Sequence, residues 1–84
     1  MTKQANFKIT IANLIESLLE DESYYKTRVF IIIGNDIMLK INELEQISFL
    51  EMKRLENYEV VRWSSDYIID RNDSEIRTLL IIGK

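Results

Sequence analysis

Apolar residues between positions 7 and 20 recur with the period of an amphipathic helix. At about 100° per residue they share one arc: Phe7, Ile11, Leu14, Ile15, Leu18 and Leu19. Asn13, Glu16, Ser17 and Glu20 lie opposite that arc. The pattern predicts a helix over residues 7–20 with Asn6 as its N-cap.

Residues 28–33 (RVFIII) are rich in β-branched side chains and predict a strand. Gly34 and Asn35 follow, and both residue types tolerate the left-handed backbone of a two-residue hairpin turn. The return strand is predicted over residues 36–41, with Ile31 opposite Met38. Phe30, Ile32, Ile37, Leu39 and Ile41 then form the predicted core face.

The other face of this hairpin is half apolar, and one small monomer has little left to cover it. We expect it to form the interface of a two-fold homodimer. The predicted interface residues are Val29, Ile31, Ile33 and Met38.

A second helix is predicted over residues 42–57, where Asn42 and Glu45 have the spacing of a capping box. Phe49 and Met52 point away from its main apolar arc. They indicate either a contact surface or a helix placed between two layers, and the pattern leaves both open.

Three more strands are predicted at residues 58–63, 67–70 and 75–82. The segment from Leu79 to Ile82 is apolar at every position, which is typical of a strand covered on both faces. The predicted order is α-β-β-α-β-β-β. This is one small α+β domain over residues 1–84, with a mainly antiparallel sheet packed against two helices.

The composition removes most catalytic chemistry. None of the 84 residues is Cys or His, so disulfides, thiolate metal sites, cysteine nucleophiles and histidine bases are excluded. We therefore expect no enzyme and no cofactor. No targeting signal or membrane-length apolar run is present, and the expected location is the cytoplasm, away from membranes.

The chain has a net charge of −3, and its acidic residues are concentrated at residues 20–22 and 43–59. These acidic zones favour a partner with a basic surface, including one that normally holds nucleic acid. The predicted function is stoichiometric protein binding as an inhibitor, adaptor or regulator. Anti-CRISPR proteins exemplify that role, and the isoleucine-rich composition suits a prokaryotic, phage or mobile-element source. The predicted partner-binding residues are Glu20, Asp21, Glu22, Tyr24, Tyr25, Glu45, Phe49, Met52 and Glu56.

Two alternative functions use other side chains. A nucleic-acid-binding protein would use the local cations Lys26, Arg28, Lys40, Arg62 and Arg77, although the chain has no continuous basic stripe and direct binding is disfavoured. A divalent-metal nuclease would use Asp70 and Asp73 with Glu75 and Arg77, in the polar run that begins at Asp66, although the composition of a turn also accounts for that run.

The C-terminal segment YIIDRNDSEIRTLLIIGK, residues 67–84, resembles the final hairpin of toxins of the RelE and ParE type. In both, a strand, a polar turn and an apolar strand precede a glycine and a basic residue, here Gly83 and Lys84. The resemblance covers about a fifth of the chain and implies a sheet that ends in this hairpin, with a toxin-type activity as an alternative function. This chain is acidic where such toxins are basic, and no catalytic residues carry over.

Overall fold

The computed structural model describes residues 8–20, 26–69, 71–72 and 75–84, together with the backbone of residues 2–4. The α+β class predicted from the sequence is confirmed. The elements in chain order are β1 (Thr2–Gln4), α1 (Ile11–Leu19), β2 (Lys26–Ile33), β3 (Asp36–Ile41), a 3-10 turn (Leu44–Gln46), α2 (Phe49–Leu55), β4 (Val60–Ile69) and β5 (Glu75–Gly83).

The described strands form one mixed sheet in the order β1-β4-β5-β2-β3. The hairpins β2–β3 and β4–β5 are antiparallel, whereas the two central strands, β2 and β5, run parallel. Residues 60–63 and 67–69 of the two predicted strands belong to the single long strand β4, and residue 70 lies outside the described residues. The sheet is thus built from two hairpins joined side by side through a parallel pair.

Both helices pack on one face of this sheet, where the buried core lies. Its fully buried side chains come from the helices, the 3-10 turn and the two central strands: Ile11, Ile15, Val29, Ile31, Leu44, Leu55, Leu79 and Ile81. In β2 and β5 the odd-numbered residues face the helices, because the parallel register places Val29 beside Leu79 and Ile31 beside Ile81.

Helix α1 starts later than the apolar period predicts. Its N-cap is Thr10, whose Oγ1 accepts a hydrogen bond from the Asn13 amide at 3.1 Å. Just before it, the Ile9 carbonyl accepts from the Val60 amide at 2.8 Å. These residues are held as extended chain beside the start of β4, so the helix cannot extend backward through them. The predicted N-cap Asn6 and Phe7 lie outside the described residues.

The β2–β3 turn is as predicted, with Gly34 at a φ of 64° and Ile33 opposite Asp36. The predicted register beyond it is wrong. A bulge between Ile31 and Ile32 places Ile31 opposite Leu39 and leaves Met38 as an extra residue in β3. Strand β3 lies at an edge of the sheet and carries both the bulge at Met38 and Lys40. Bulges and lysines hinder pairing of an edge strand with another chain.

The second helix is also shorter than predicted, because its capping box lies at Ser48 and Glu51 instead of Asn42 and Glu45. The Ser48 hydroxyl accepts from the Glu51 amide at 3.1 Å, and the Glu51 carboxylate accepts from the Ser48 amide at 3.0 Å. Residues 42–48 therefore do not share the rotational phase of α2, which explains why the predicted apolar arc was irregular.

A stability measurement distinguishes Ser48 from Asn42 as the N-cap of α2. We expect Ser48→Ala to lower the free energy of unfolding by about 1 kcal/mol, because it leaves the Glu51 amide without its side-chain partner. Asn42→Ala is the matched control and should change stability by less than about 0.5 kcal/mol. Urea unfolding followed by Trp63 fluorescence measures both, and equal losses would contradict the assignment of Ser48 as the cap.

Candidate binding surface

The face of the sheet opposite the helices carries a contiguous apolar patch. Its register pairs join Phe30 to Leu80, Ile32 to Ile82, and Ile32 to Ile37. Ile37 is 69% exposed and the other four side chains are partly exposed. These five residues are named the open face, because both described helices lie on the other side of the sheet.

Basic side chains border the open face on three sides. Arg62 on β4 is the register partner of Ile82, and Lys40 on β3 is the partner of Phe30. The Lys40 ammonium lies 5.6 Å from the centre of the Phe30 ring. Arg28 lies two residues before Phe30 on β2, on the same side of the sheet. The open face is therefore an apolar patch in a positive border.

One carboxylate also belongs to this side of the sheet. Asp66 shares a row with Thr78 and Arg28, as the register of β4, β5 and β2 shows. At the same end, Lys26 pairs with Glu43, with 3.5 Å between Nζ and Oε1. Apart from the Lys26–Glu43 pair, this side of β2–β5 thus carries three cations, Arg28, Lys40 and Arg62, and one carboxylate. The chain as a whole has a net charge of −3.

The predicted dimer interface lies mainly in the core. Val29 and Ile31 are fully buried, and Ile33 and Met38 are partly buried against the core cluster. The prediction had the two faces of β2 exchanged, because α1 and α2 cover the odd-numbered side chains. Val29 and Ile31 therefore cannot form a surface of the folded subunit, and the spare apolar area lies on the open face.

The predicted partner-binding residues are divided by the structure. Phe49 is 74% exposed at the start of α2, with the Lys53 ammonium 5.7 Å from its ring centre. Leu50 beside it is 78% exposed and was not predicted as a contact residue. Met52 was expected on the surface but is partly buried and packs against the core, because the helix phase starts at Ser48.

The acidic members of that set are partly described. Glu20, Glu45 and Glu56 are exposed, near the ends of α1, the 3-10 turn and α2. Asp21, Glu22, Tyr24 and Tyr25 lie outside the described residues. The three described glutamates belong to elements on the helical side, so they do not join the open face.

Four of the five cations proposed for nucleic-acid contact share one side of the sheet: Lys26, Arg28, Lys40 and Arg62. Arg77 does not join them. It is 6% exposed on the helical side, and its Nε donates to the Thr27 hydroxyl at 3.1 Å. Its odd position in β5 places it there, so it cannot contact a ligand on the opposite side of the sheet.

In the acidic run considered for metal binding the structure describes Asp66 and Glu75, whereas Asp70 and Asp73 lie outside the described residues. Across the part of the chain that the structure describes, no three acidic side chains come together as metal ligands. Asp66 instead shares its row with a threonine and an arginine.

Sequence reasoning missed the open face although its signal was present. Residues 29–33 and 79–82 are apolar at consecutive positions, which indicates two apolar faces on each strand. The parallel β2–β5 pairing was not predicted. It doubles the width of both apolar faces and places one of them away from the helices.

Comparisons of the chain with protein-family models, with curated proteins and with solved structures find no match. The final hairpin that resembles those of RelE- and ParE-type toxins is present as β4 and β5, and the toxin-type activity stays a prediction. Function is therefore inferred from the surface chemistry of the molecule.

Neither helix in the described part of the chain has the length and apolar character needed to cross a bilayer.

Proposed function

We propose that the protein is a non-catalytic binding module that holds a partner protein on its open face and acts by occupancy. The observation that carries this proposal is the apolar patch on the central strands β2 and β5. Parallel strands are normally covered on both faces, and here the described helices cover one. A partner that covers the second face would remove this apolar area from water, at roughly 25 cal/mol per Å².

The absence of Cys and His from the sequence supports a binding role over a hydrolytic one. As an inhibitor, adaptor or regulator, the module needs no reactive group, because a bound partner is blocked or recruited by contact alone. The acidic zones in the sequence predicted a partner with a basic surface. The open face instead favours an acidic partner, because cations border its apolar patch.

A pair of photo-cross-linking variants tests which surface is used. p-Benzoylphenylalanine replaces Phe30 on the open face in one variant and Phe49 on α2 in the other. In a lysate of the source cells, we expect a one-to-one adduct with another protein from position 30 and none from position 49. Adding Ile37→Glu to the position-30 variant should reduce that adduct, because it places a charge in the apolar patch.

Three outcomes would overturn the proposal: adducts from position 49 alone, adducts of the chain with itself alone, or no adduct from either position. Circular dichroism of each variant checks that the fold is retained. Ile37 suits this purpose because its side chain is 69% exposed and contributes little to the core.

A second candidate is nucleic-acid binding, and the specific observation in its favour is the grouping of Lys26, Arg28, Lys40 and Arg62 on one side of the sheet. This function predicts retardation of single-stranded DNA or RNA with an affinity that falls steeply as salt rises. Lack of retardation at low salt would remove it.

A further inference from the structure

We propose that the partner segment that occupies the open face is an acidic amphipathic helix of another protein. This inference rests on the proposed function and adds the chemistry of the partner. It follows from three properties of the open face: its dimensions, the charge of its border and the aliphatic character of its centre.

The dimensions of the open face fit one helix. From β4 to β3 there are three strand spacings of about 4.8 Å, or about 14 Å, against a helix diameter of about 10–12 Å. A helix lying along β2 and β5 would have Arg62 on one flank and Lys40 on the other. Its apolar stripe would contact Ile32, Leu80 and Ile82. The bound helix would then form a third layer, as α1 and α2 form a layer on the opposite face of the sheet.

The positive border determines which charge the side chains on the flanks of that helix should carry. Arg28, Lys40 and Arg62 surround the patch, and the one carboxylate that the same strands place on this side, Asp66, lies in the cross-strand row of Arg28. Glutamates or aspartates on the flanks of a bound helix would lie opposite these cations. Flanking lysines or arginines would meet like charge, which costs affinity and slows association.

The same charges argue against a second copy of this chain on the open face. Two open faces packed through a two-fold axis would bring six cations to one interface with two carboxylates. Because like charges at an interface oppose association, the patch is poorly suited to self-pairing. The homodimer expected from the sequence remains a prediction and is one outcome of the test below.

The centre of the open face argues against single-stranded nucleic acid. Proteins that bind such strands use aromatic side chains on which successive bases stack. Four of the five open-face residues are aliphatic, and Phe30 is the one aromatic that the strands β2–β5 place on this side. Its ring already has the Lys40 ammonium 5.6 Å from its centre. Aliphatic residues instead match the leucine-type stripe of a helix.

Two synthetic peptides test the inference. Each has about 18 residues, a length of about 27 Å that matches the strands, with leucines at helical spacing. One carries glutamates on its polar face and the other carries lysines. Fluorescence anisotropy measures their affinity for the unaltered chain and for two exposed-site variants: the double variant Lys40→Glu/Arg62→Glu and the control Arg54→Glu on α2.

We expect the glutamate peptide to bind the unaltered chain. The combined Lys40→Glu and Arg62→Glu changes should weaken it about tenfold, from two ion pairs of up to about 1 kcal/mol each. The control Arg54→Glu should leave that affinity within about twofold, because Arg54 lies on the helical side. The lysine peptide should not lose affinity when the two open-face cations are reversed.

The inference is overturned if the glutamate peptide does not bind, or if its affinity is insensitive to the reversal of Lys40 and Arg62. It is also overturned if a 20-nucleotide oligo-dT binds more tightly at the same salt, or if sedimentation shows a dimer that Ile37→Glu dissociates. An adduct from position 30 combined with no peptide binding would preserve the proposed function and reject only the acidic helix.

Discussion

Ile31→Ala is expected to lower the free energy of unfolding by about 2–5 kcal/mol, whereas Ile32→Ala should cost about 1 kcal/mol. The two residues are neighbours on β2 and have identical side chains. Ile31 is fully buried between the helices and the sheet, so its truncation leaves a cavity. Ile32 lies on the open face, where water can reach the site of the lost methyl groups.

The larger of these losses is a substantial part of the stability of a domain of this size, about 4–12 kcal/mol. Urea unfolding followed by the fluorescence of Trp63, which packs against the core, gives both values. If Ile31→Ala fails to fold, Ile31→Val still separates the faces, with an expected loss of about 0.5–1.5 kcal/mol against less for Ile32→Val. Equal losses at the two positions would show that the assignment of the two faces is incorrect.

The comparison of Ile31 with Ile32 also shows how far the sequence determines the fold. The β-branched run and the Gly34-Asn35 turn predict the hairpin, and the arc that includes Ile11 and Ile15 predicts the buried side of α1. These are local signals, which depend on periodicity and on the backbone preferences of single residues. The α+β class follows from them.

The faces of β2 could not be predicted in the same way, because both are apolar. The choice between them depends on which side the helices occupy, and this is set by contacts between residues distant in sequence. The bulge at Met38 also shifts β3 relative to β2. A one-residue shift exchanges the faces of a strand, so Leu39 and Ile41, which were predicted to share a face with Phe30 and Ile32, lie beside Ile31 and Val29 on the helical side.

The candidate site depends on the same long-range pairing. Lys40 and Arg62 are 22 positions apart in sequence, and they become opposite borders of one patch only when β5 pairs with both β4 and β2. The sequence therefore named these cations among five candidates for nucleic-acid contact but could not place them around one apolar patch. Phe49 is exposed, which is one of the two placements that the sequence left open.

At Gly83 the side chain of Ile11 on α1 packs directly against the backbone of β5. A Cβ added there would lie 2.6 Å from the Ile11 side chain, 2.9 Å from the Glu59 carbonyl oxygen and 2.9 Å from the Ile33 side chain. The Glu59 carbonyl is held in place, since it accepts from the Lys84 amide at 3.0 Å. A side chain at position 83 would have to displace backbone as well as two isoleucines.

Gly83→Ala is therefore expected to destabilise the fold by about 1–3 kcal/mol through overpacking. Gly34→Ala is the matched control, because a Cβ at position 34 meets nothing within 4 Å and its cost of about 1 kcal/mol comes from the positive φ alone. Adding Ile11→Val to Gly83→Ala should recover part of the loss, since it removes the Cδ1 that the new methyl group would meet. The same Ile11→Val change should recover nothing in Gly34→Ala. Urea unfolding of these four variants and of Ile11→Val alone measures this coupling, and additive losses at positions 11 and 83 would contradict the close packing of α1 on β5.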